Sequence, residues 1–212
     1  MSNLTSGQNL EVLIASRICH DLISPIGAIG NGVELMQATQ HHGQSPELAL
    51  VAQSAEIAAA KLEFFRLAFG QAGGDVETVC PKISRILKDQ FNKPRLTVDL
   101  NLPVEPVLRR NAKLLALMAL CVERALPKGG TLHLSLSQQT ILAEASGPVV
   151  RADSRAWDLL RDIEGASELT AADVQFSLLR QYTRDLGRTL SLTATDARLS
   201  LTTRPLTVVK VA

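Results

Sequence analysis

Apolar residues recur through the N-terminal part of the chain at the spacing of a bundle helix. With Val12 at position a of a heptad, Cys19, Ile26 and Val33 also fall at a. Ala15, Leu22, Ile29 and Met36 fall at d, so every seam position is apolar. The periodicity predicts a helix over about 8–40 with Pro25 inside it. Proline removes one backbone donor and is expected to bend the helix just beyond His20. Gly27, Gly30 and Gly32 weaken the same stretch. His41, His42, Gly43 and Gln44 read as a turn, and Ser45 with Pro46 supplies an N-cap and a first-turn proline. A second heptad follows, with Leu48, Ala55, Leu62 and Phe69 in one column and Val51, Ala58 and Phe65 in the other. It ends near Gly70, and Gly73 and Gly74 continue as a joint. Two such helices make an antiparallel hairpin that alone buries only one face of each. Two copies are therefore expected to complete a four-helix bundle, as a homodimer.

From about residue 76 the period changes. A helix over 80–91 leads to an alternating strand at 96–100, then to an almost wholly apolar helix over 110–126, stopped by Pro127, Gly129 and Gly130. Strands follow at 132–136 and 140–145, helices near 154–163 and 171–186, and strands near 189–193 and 199–209. Helices on one face of a mixed sheet make an α/β sandwich. The fold class is thus α + α/β, with a helical hairpin domain over 1–73 and an α/β domain over 74–212.

Composition narrows the picture. Hydrophobic residues make up 46% and aromatics 3%, which suits helices packed through small and branched side chains. A net charge of +1 argues against nucleic acid or an anionic membrane surface as partner. Cys19, Cys80 and Cys121 show neither a metal spacing nor a disulfide framework, as in a reducing compartment. With no signal-peptide pattern and no stretch read as apolar enough to span a bilayer, the expectation is a cytoplasmic protein without a membrane partner.

The candidate chemistry sits in the first helix, in the run Arg17-Ile18-Cys19-His20-Asp21-Leu22-Ile23-Ser24-Pro25. The heptad phase puts His20 at b and Asp21 at c, outside the apolar seam. Imidazole is a good nucleophile toward phosphorus, and Asp21 can fix the ring's tautomer by bonding its other nitrogen. A His-Asp pair on a solvated face is more often plain surface than site.

His20 to Pro25 resembles the H-E/D-x-x-x-P phospho-acceptor box of sensor histidine kinases. The second half is similar to their ATPase domain in layout, down to Pro127-Lys128-Gly129-Gly130 where kinases carry a P-x-G-G turn. The departures point away from a kinase. Cys121 and Leu117 stand where two asparagines would hold Mg²⁺ and nucleotide, and neither offers a hard oxygen. The adenine box reads Ala143-Glu144-Ala145-Ser146-Gly147-Pro148, and Asp173-Val174-Gln175-Phe176 replaces a phosphate-cradling glycine loop. An acceptor bundle joined to a degenerate ATPase domain resembles the ChpT-type histidine phosphotransferases of alphaproteobacteria. That resemblance implies a cell-cycle phosphorelay, with His20 as phospho-acceptor, Asp21 orienting it and Pro25 shaping the helix beneath. It implies a homodimer that takes phosphate from the receiver domain of a hybrid kinase (CckA-like) and gives it to response regulators of the CtrA and CpdR kind. No cofactor is expected on this chain, Mg²⁺ belonging to the receivers.

Arg17, Ser24 and Asn31, all at heptad f, are candidate exposed contacts for a docked receiver. Symmetric counting about Gly43 places Arg66 at the height of His20, where it could meet a partner or pair with Asp21. His41 and His42 lack a third ligand for metal, and His133 is expected to face solvent from its strand. Trp157 reads as a packing anchor. Phe64, outside the second seam, could support the interdomain joint or offer an apolar contact. Two other functions stay open: an active soluble histidine kinase with a divergent ATP pocket, and a scaffold that binds receivers without taking phosphate.

Overall fold

The computed structural model describes residues 6–39, 46–72, 75–152, 155–161 and 170–206. The expected turn residues His41 to Ser45, the joint at Gly73 and Gly74, and the ends of the helix near 163 and the strand near 209 lie outside them. The chain divides into two compact units, Met1–Arg66 and Leu67–Ala212.

The first unit holds two long helices, α1 (Ser6–Thr39) and α2 (Pro46–Ala68), the latter ending just past the boundary. α1 runs through Pro25 without a break. Its interior face takes only part of the apolar seam expected: Leu22, Ile29 and Met36 of the d column are half-buried. Pro25 and Gly32 are buried, whereas Val12, Ile26 and Val33 of the a column are exposed at 64%, 57% and 40%. In α2, Leu48, Ala55 and Leu62 are likewise exposed, while Val51, Ala58 and Phe65 turn inward. Close approach explains the choice at Gly32: a Cβ there would meet Val51 Cγ2 at 2.5 Å and the Glu47 carbonyl at 3.5 Å. Each helix thus spends one face on the hairpin and leaves a second apolar stripe uncovered. This stripe overturns one expectation. The stretch Leu10–Ala38 is long and apolar enough to cross a membrane by length and composition, because the apolar residues of both faces count together.

The second unit is built on a five-stranded sheet. Its strands are β2 (Leu96–Asn101), β4 (Gly130–Leu136), β5 (Ile141–Ser146), β6 (Arg188–Ala194) and β7 (Arg198–Pro205), in the order β2-β4-β5-β7-β6. Only β2 and β4 are parallel. A two-stranded patch, β1 (Glu77–Thr78) with β3 (Val107–Leu108), has no signal in the sequence, since two residues carry no alternation to read. One sheet face presents Leu132, Leu134, Ile141, Ala143, Leu199 and Leu201, all buried. Against it lies α4 (Arg109–Glu123), whose Leu114 to Val122 run is enclosed on every side by the sheet and by α6 (Val174–Asp185). Full burial of each such leucine stabilises by about 1.5–3 kcal/mol, enough to make α4 the centre of the core. α3 (Cys80–Phe91) packs on β2. Between α4 and α6 in sequence, α5 (Arg155–Asp158) carries Trp157, which is buried edge-on to Phe176 at 4.9 Å between ring centroids, as a packing anchor should be. The other sheet face is polar, with Asp99, His133, Glu144 and Ser200 in one cross-strand row.

The turn into β4 depends on glycine. Gly129 has φ +83° and its missing Cβ would collide with the Arg95 carbonyl, while Gly187 has φ +59° with open space around it. Gly129→Ala is therefore expected to cost about 3 kcal/mol, strain plus collision, and Gly187→Ala only about 1 kcal/mol, strain alone. Urea denaturation of the two variants checks the ordering.

Candidate functional site

α1 carries His20 near its middle, and its helical phase turns the ring outward. The His20 side chain is 83% exposed, beside an Asp21 carboxylate only 16% exposed. His20 Nδ1 lies 3.1 Å from Asp21 Oδ1. The other carboxylate oxygen is taken as well, since Arg17 Nε donates to Asp21 Oδ2 at 2.8 Å. With Nδ1–H donating to the carboxylate, Nε2 is the nitrogen that faces solvent with its lone pair. Burial pushes the Asp21 carboxyl upward, but hydrogen bonds from Arg17 and His20 and the charges of Arg17 and Lys61 outweigh it, holding the group below its ordinary value.

Two expectations need correction here. Arg17 is not a free surface contact: its side chain is 19% exposed and clamps Asp21 one turn away, at i,i+4. Arg66 is exposed on the last turn of α2, and the α2 cation whose charge reaches Asp21 is Lys61. Equal steps from the Gly32–Val51 contact, in opposite directions, reach Asp21 on α1 and Leu62 on α2, next to Lys61. The helices meet with a stagger that counting about Gly43 could not show. Lys61 is the lone cation between the inward-facing Ala58 and Phe65 and is itself half-buried, although the heptad alone does not set its height against Asp21. Ser24 and Asn31 are exposed on α1 beyond His20, as expected, and Pro25 is buried beneath it. Phe64 is fully buried, edge-on to Phe65, so it offers no apolar contact to a partner.

A depressed carboxylate ties stability to pH. The ionised form of Asp21 is favoured by folding, so its contribution is complete above the unfolded-state pKa and is lost as pH falls through the lower folded value. Thermal melts between about pH 5 and pH 2 are expected to fall more steeply for the native chain than for Asp21→Asn, which has nothing there to protonate.

In the second unit, Leu117 and Cys121 are fully buried in the α4 core. Burial, with the charge of Asp173 adding, pushes the Cys121 thiol well up. Asp173 bonds Thr170 at 2.9 Å and Arg124 at 3.4 Å just before α6. Gln175 is buried with both amide atoms unbonded. Leu117 and Cys121 thus present no side-chain oxygen within the α4 core. His133 faces the polar side of the sheet, as expected, and is bonded there: Nδ1 lies 3.0 Å from Asp99 Oδ2, and Nε2 lies 3.3 Å from Ser146 Oγ. His41 and His42 lie outside the described residues. No cluster of His, Cys, Asp and Glu suited to a metal occurs among the described residues.

Comparison with known proteins adds three likenesses. Residues 80–198 match the family described as the histidine phosphotransferase C-terminal domain. The protein phosphotransferase ChpT of Brucella abortus (strain 2308) is 31% identical over 202 residues, covering 90% of this chain and 92% of that protein. A solved bacterial phosphotransferase superposes with a TM-score of 0.79 at 28% identity, covering 96% of this chain and 98% of that one.

Proposed function

The chain belongs to the ChpT-type histidine phosphotransferases, and on that premise we propose that it relays a phosphoryl group between receiver-domain aspartates through His20. Nε2 attacks the phosphorus of a receiver's phospho-aspartate, the N–P bond forms, and the P–O bond breaks to release the receiver's carboxylate. Asp21 holds Nδ1–H and offsets the positive charge that grows on the ring. Arg17 pins the carboxylate so that it faces the imidazole. Reversal of these steps passes the phosphoryl group to a second receiver, each receiver bringing its own Mg²⁺. The observation that carries the reading is the exposed His20 ring bonded through Nδ1 to a half-buried, doubly held Asp21.

The rest of the proposal follows from the two units. The uncovered apolar stripe on α1 and α2 is taken up by a second copy, giving a four-helix bundle. A membrane would suit that stripe less well, because Arg17, His20 and Asp21 occupy the same span, and charged groups near a bilayer centre are costly. Buried Leu117 and Cys121, where the resemblance expects two metal-holding asparagines, support a second unit that neither binds ATP nor acts as a kinase. The partners are a CckA-like hybrid-kinase receiver and CtrA-like and CpdR-like regulators, in the cytoplasm, with Ser24, Asn31 and Arg66 as receiver contacts.

The test supplies the full chain with a ³²P-labelled phosphorylated receiver and, separately, with labelled ATP and Mg²⁺. Acid-labile, base-stable label is expected from the receiver alone. Label from ATP would make the chain a kinase, and binding of the receiver without label would make it a scaffold.

A further inference from the structure

An unpaired sheet edge lies far along the chain from His20. β2 is the first strand of the sheet, with β4 on one side and no strand on the other among the described residues. The register pairs Leu96 with Gly130, and the Gly130 N–H donates to the Arg95 carbonyl at 2.8 Å. In a parallel ladder, alternate residues direct their peptide groups to opposite sides. Thr97 and Asp99 therefore bond β4, and Leu96, Val98 and Leu100 aim their N–H and C=O away from it. Leu96 spends its pair on Lys93, at 3.0 Å and 2.9 Å. Val98 and Leu100 are left with four peptide groups facing outward.

Proteins commonly blunt such an edge with proline, a bulge or a covering segment. β2 has no proline and no bulge within Leu96–Asn101, and no strand covers it among the described residues. It borders an open groove of about 460 Å³ between the strand and α3, with Pro81, Ser84 and Lys88 on the helix wall and Val98 and Leu100 on the strand wall. Because α3 turns directly into β2, the helix runs back along the strand. Lys88 sits toward Val98, and Pro81 toward Leu102. Val104 closes that apolar end and is 93% exposed. The outer surface of α3 carries Lys82, Arg85 and Lys88 against one acid, Asp89, which Arg85 already meets at 3.5 Å. Lys88 has no ion-pair partner among the described residues. Asp99 also borders the groove, but its carboxylate is bonded to His133 on the opposite sheet face.

We propose that this groove receives an extended acidic-apolar peptide segment of a partner protein, added to β2 as a sixth strand. The four free peptide groups of Val98 and Leu100 supply the ladder, which any sequence satisfies. Selectivity comes from the side chains that turn into the groove, two residues apart. The one beside Leu100 and Leu102 is apolar, and the one beside Lys88 is a carboxylate. This docking site is independent of phosphotransfer at His20 and survives if that reading fails.

The test uses the full ¹⁵N-labelled chain and the peptide acetyl-Thr-Glu-Thr-Leu-Thr-Glu-Thr-amide, which presents leucine and glutamate to the groove in either strand direction. At saturation, exchange of the Val98 and Leu100 amides with deuterium is expected to slow by about tenfold or more. A peptide with lysine in place of both glutamates is expected to bind about fivefold or more weakly, and Lys88→Glu to reverse that preference. Unchanged exchange at both amides with the peptide at about 1 mM, near the weakest affinity worth scoring, would overturn the proposal. So would a Lys88→Glu variant that binds both peptides as the native chain does. Protection that is present without peptide and grows with protein concentration would also overturn it, by making a second copy the occupant.

Discussion

His20→Gln is expected to reduce label taken from a phosphorylated receiver to background, a loss of roughly a thousandfold or more, since it removes the nucleophile itself. Glutamine suits the purpose because it is a competent helix former on an exposed face, so α1 and its packing should be retained. Its amide can still bond Asp21, which leaves the Arg17–Asp21 pair in place. What it lacks is a basic ring nitrogen with a lone pair directed outward. The expected contrast is with Asp21→Asn, which keeps the nucleophile and should slow transfer by a smaller factor, about tenfold to a thousandfold, through loss of tautomer control. Rates of label transfer from one receiver to the two variants, with receiver binding measured in parallel, separate the roles. If His20→Gln took label at the native rate, another nucleophile would have to carry the phosphoryl group, and the proposed relay would fail. Equal, complete losses in both variants with intact binding would instead mean that Asp21 is as indispensable as the ring.

The His20–Asp21 pair was legible in the sequence because the two are neighbours in one helix and meet without any tertiary contact. Its third member was not. Arg17 and Asp21 are one turn apart, but whether an arginine reaches outward or folds back on a carboxylate depends on the burial of both groups, and that comes from α2. Lys61 was hidden for a related reason: a stagger between two helices is set by close contacts such as Gly32 against Val51, and glycine looks only like a weak helix former in a sequence. In the second unit, alternation at Leu132, Leu134 and Leu136 marked the strand and its buried face together. The β1–β3 patch had no such signal, and neither did the Asp99–His133–Ser146 bonds, which join three strands. The unpaired edge of β2 was invisible for the same reason, being a property of strand order rather than of any strand.

Ile26→Glu is expected to convert the proposed dimer to a monomer, with the dissociation constant rising by about a thousandfold or more. The heptad identified Ile26 as a seam residue, and the hairpin leaves it 57% exposed, in line with Val12 and Val33. In a symmetric pair each substitution acts twice. Burial of one isoleucine contributes about 1.5–3 kcal/mol, so two losses alone approach 3–6 kcal/mol. Two carboxylates brought near the axis add desolvation and repulsion to that figure. Within one chain the same change puts a charge on an exposed position and should leave the hairpin folded, because the interior is made by Pro25, Gly32 and Val51 rather than by Ile26. Sedimentation across a concentration series reads the mass, and circular dichroism checks that helix content is kept. A native chain that sediments as a monomer at every concentration would remove the four-helix bundle, and the apolar stripe of Leu10–Ala38 would then need another cover, a bilayer among them. A dimer that tolerates Ile26→Glu would place its interface elsewhere on the molecule. The expected monomer also isolates one site: if phosphorylated receivers still label it at the native rate, all the groups that matter at His20 come from a single chain, as the Arg17–Asp21–His20 geometry implies.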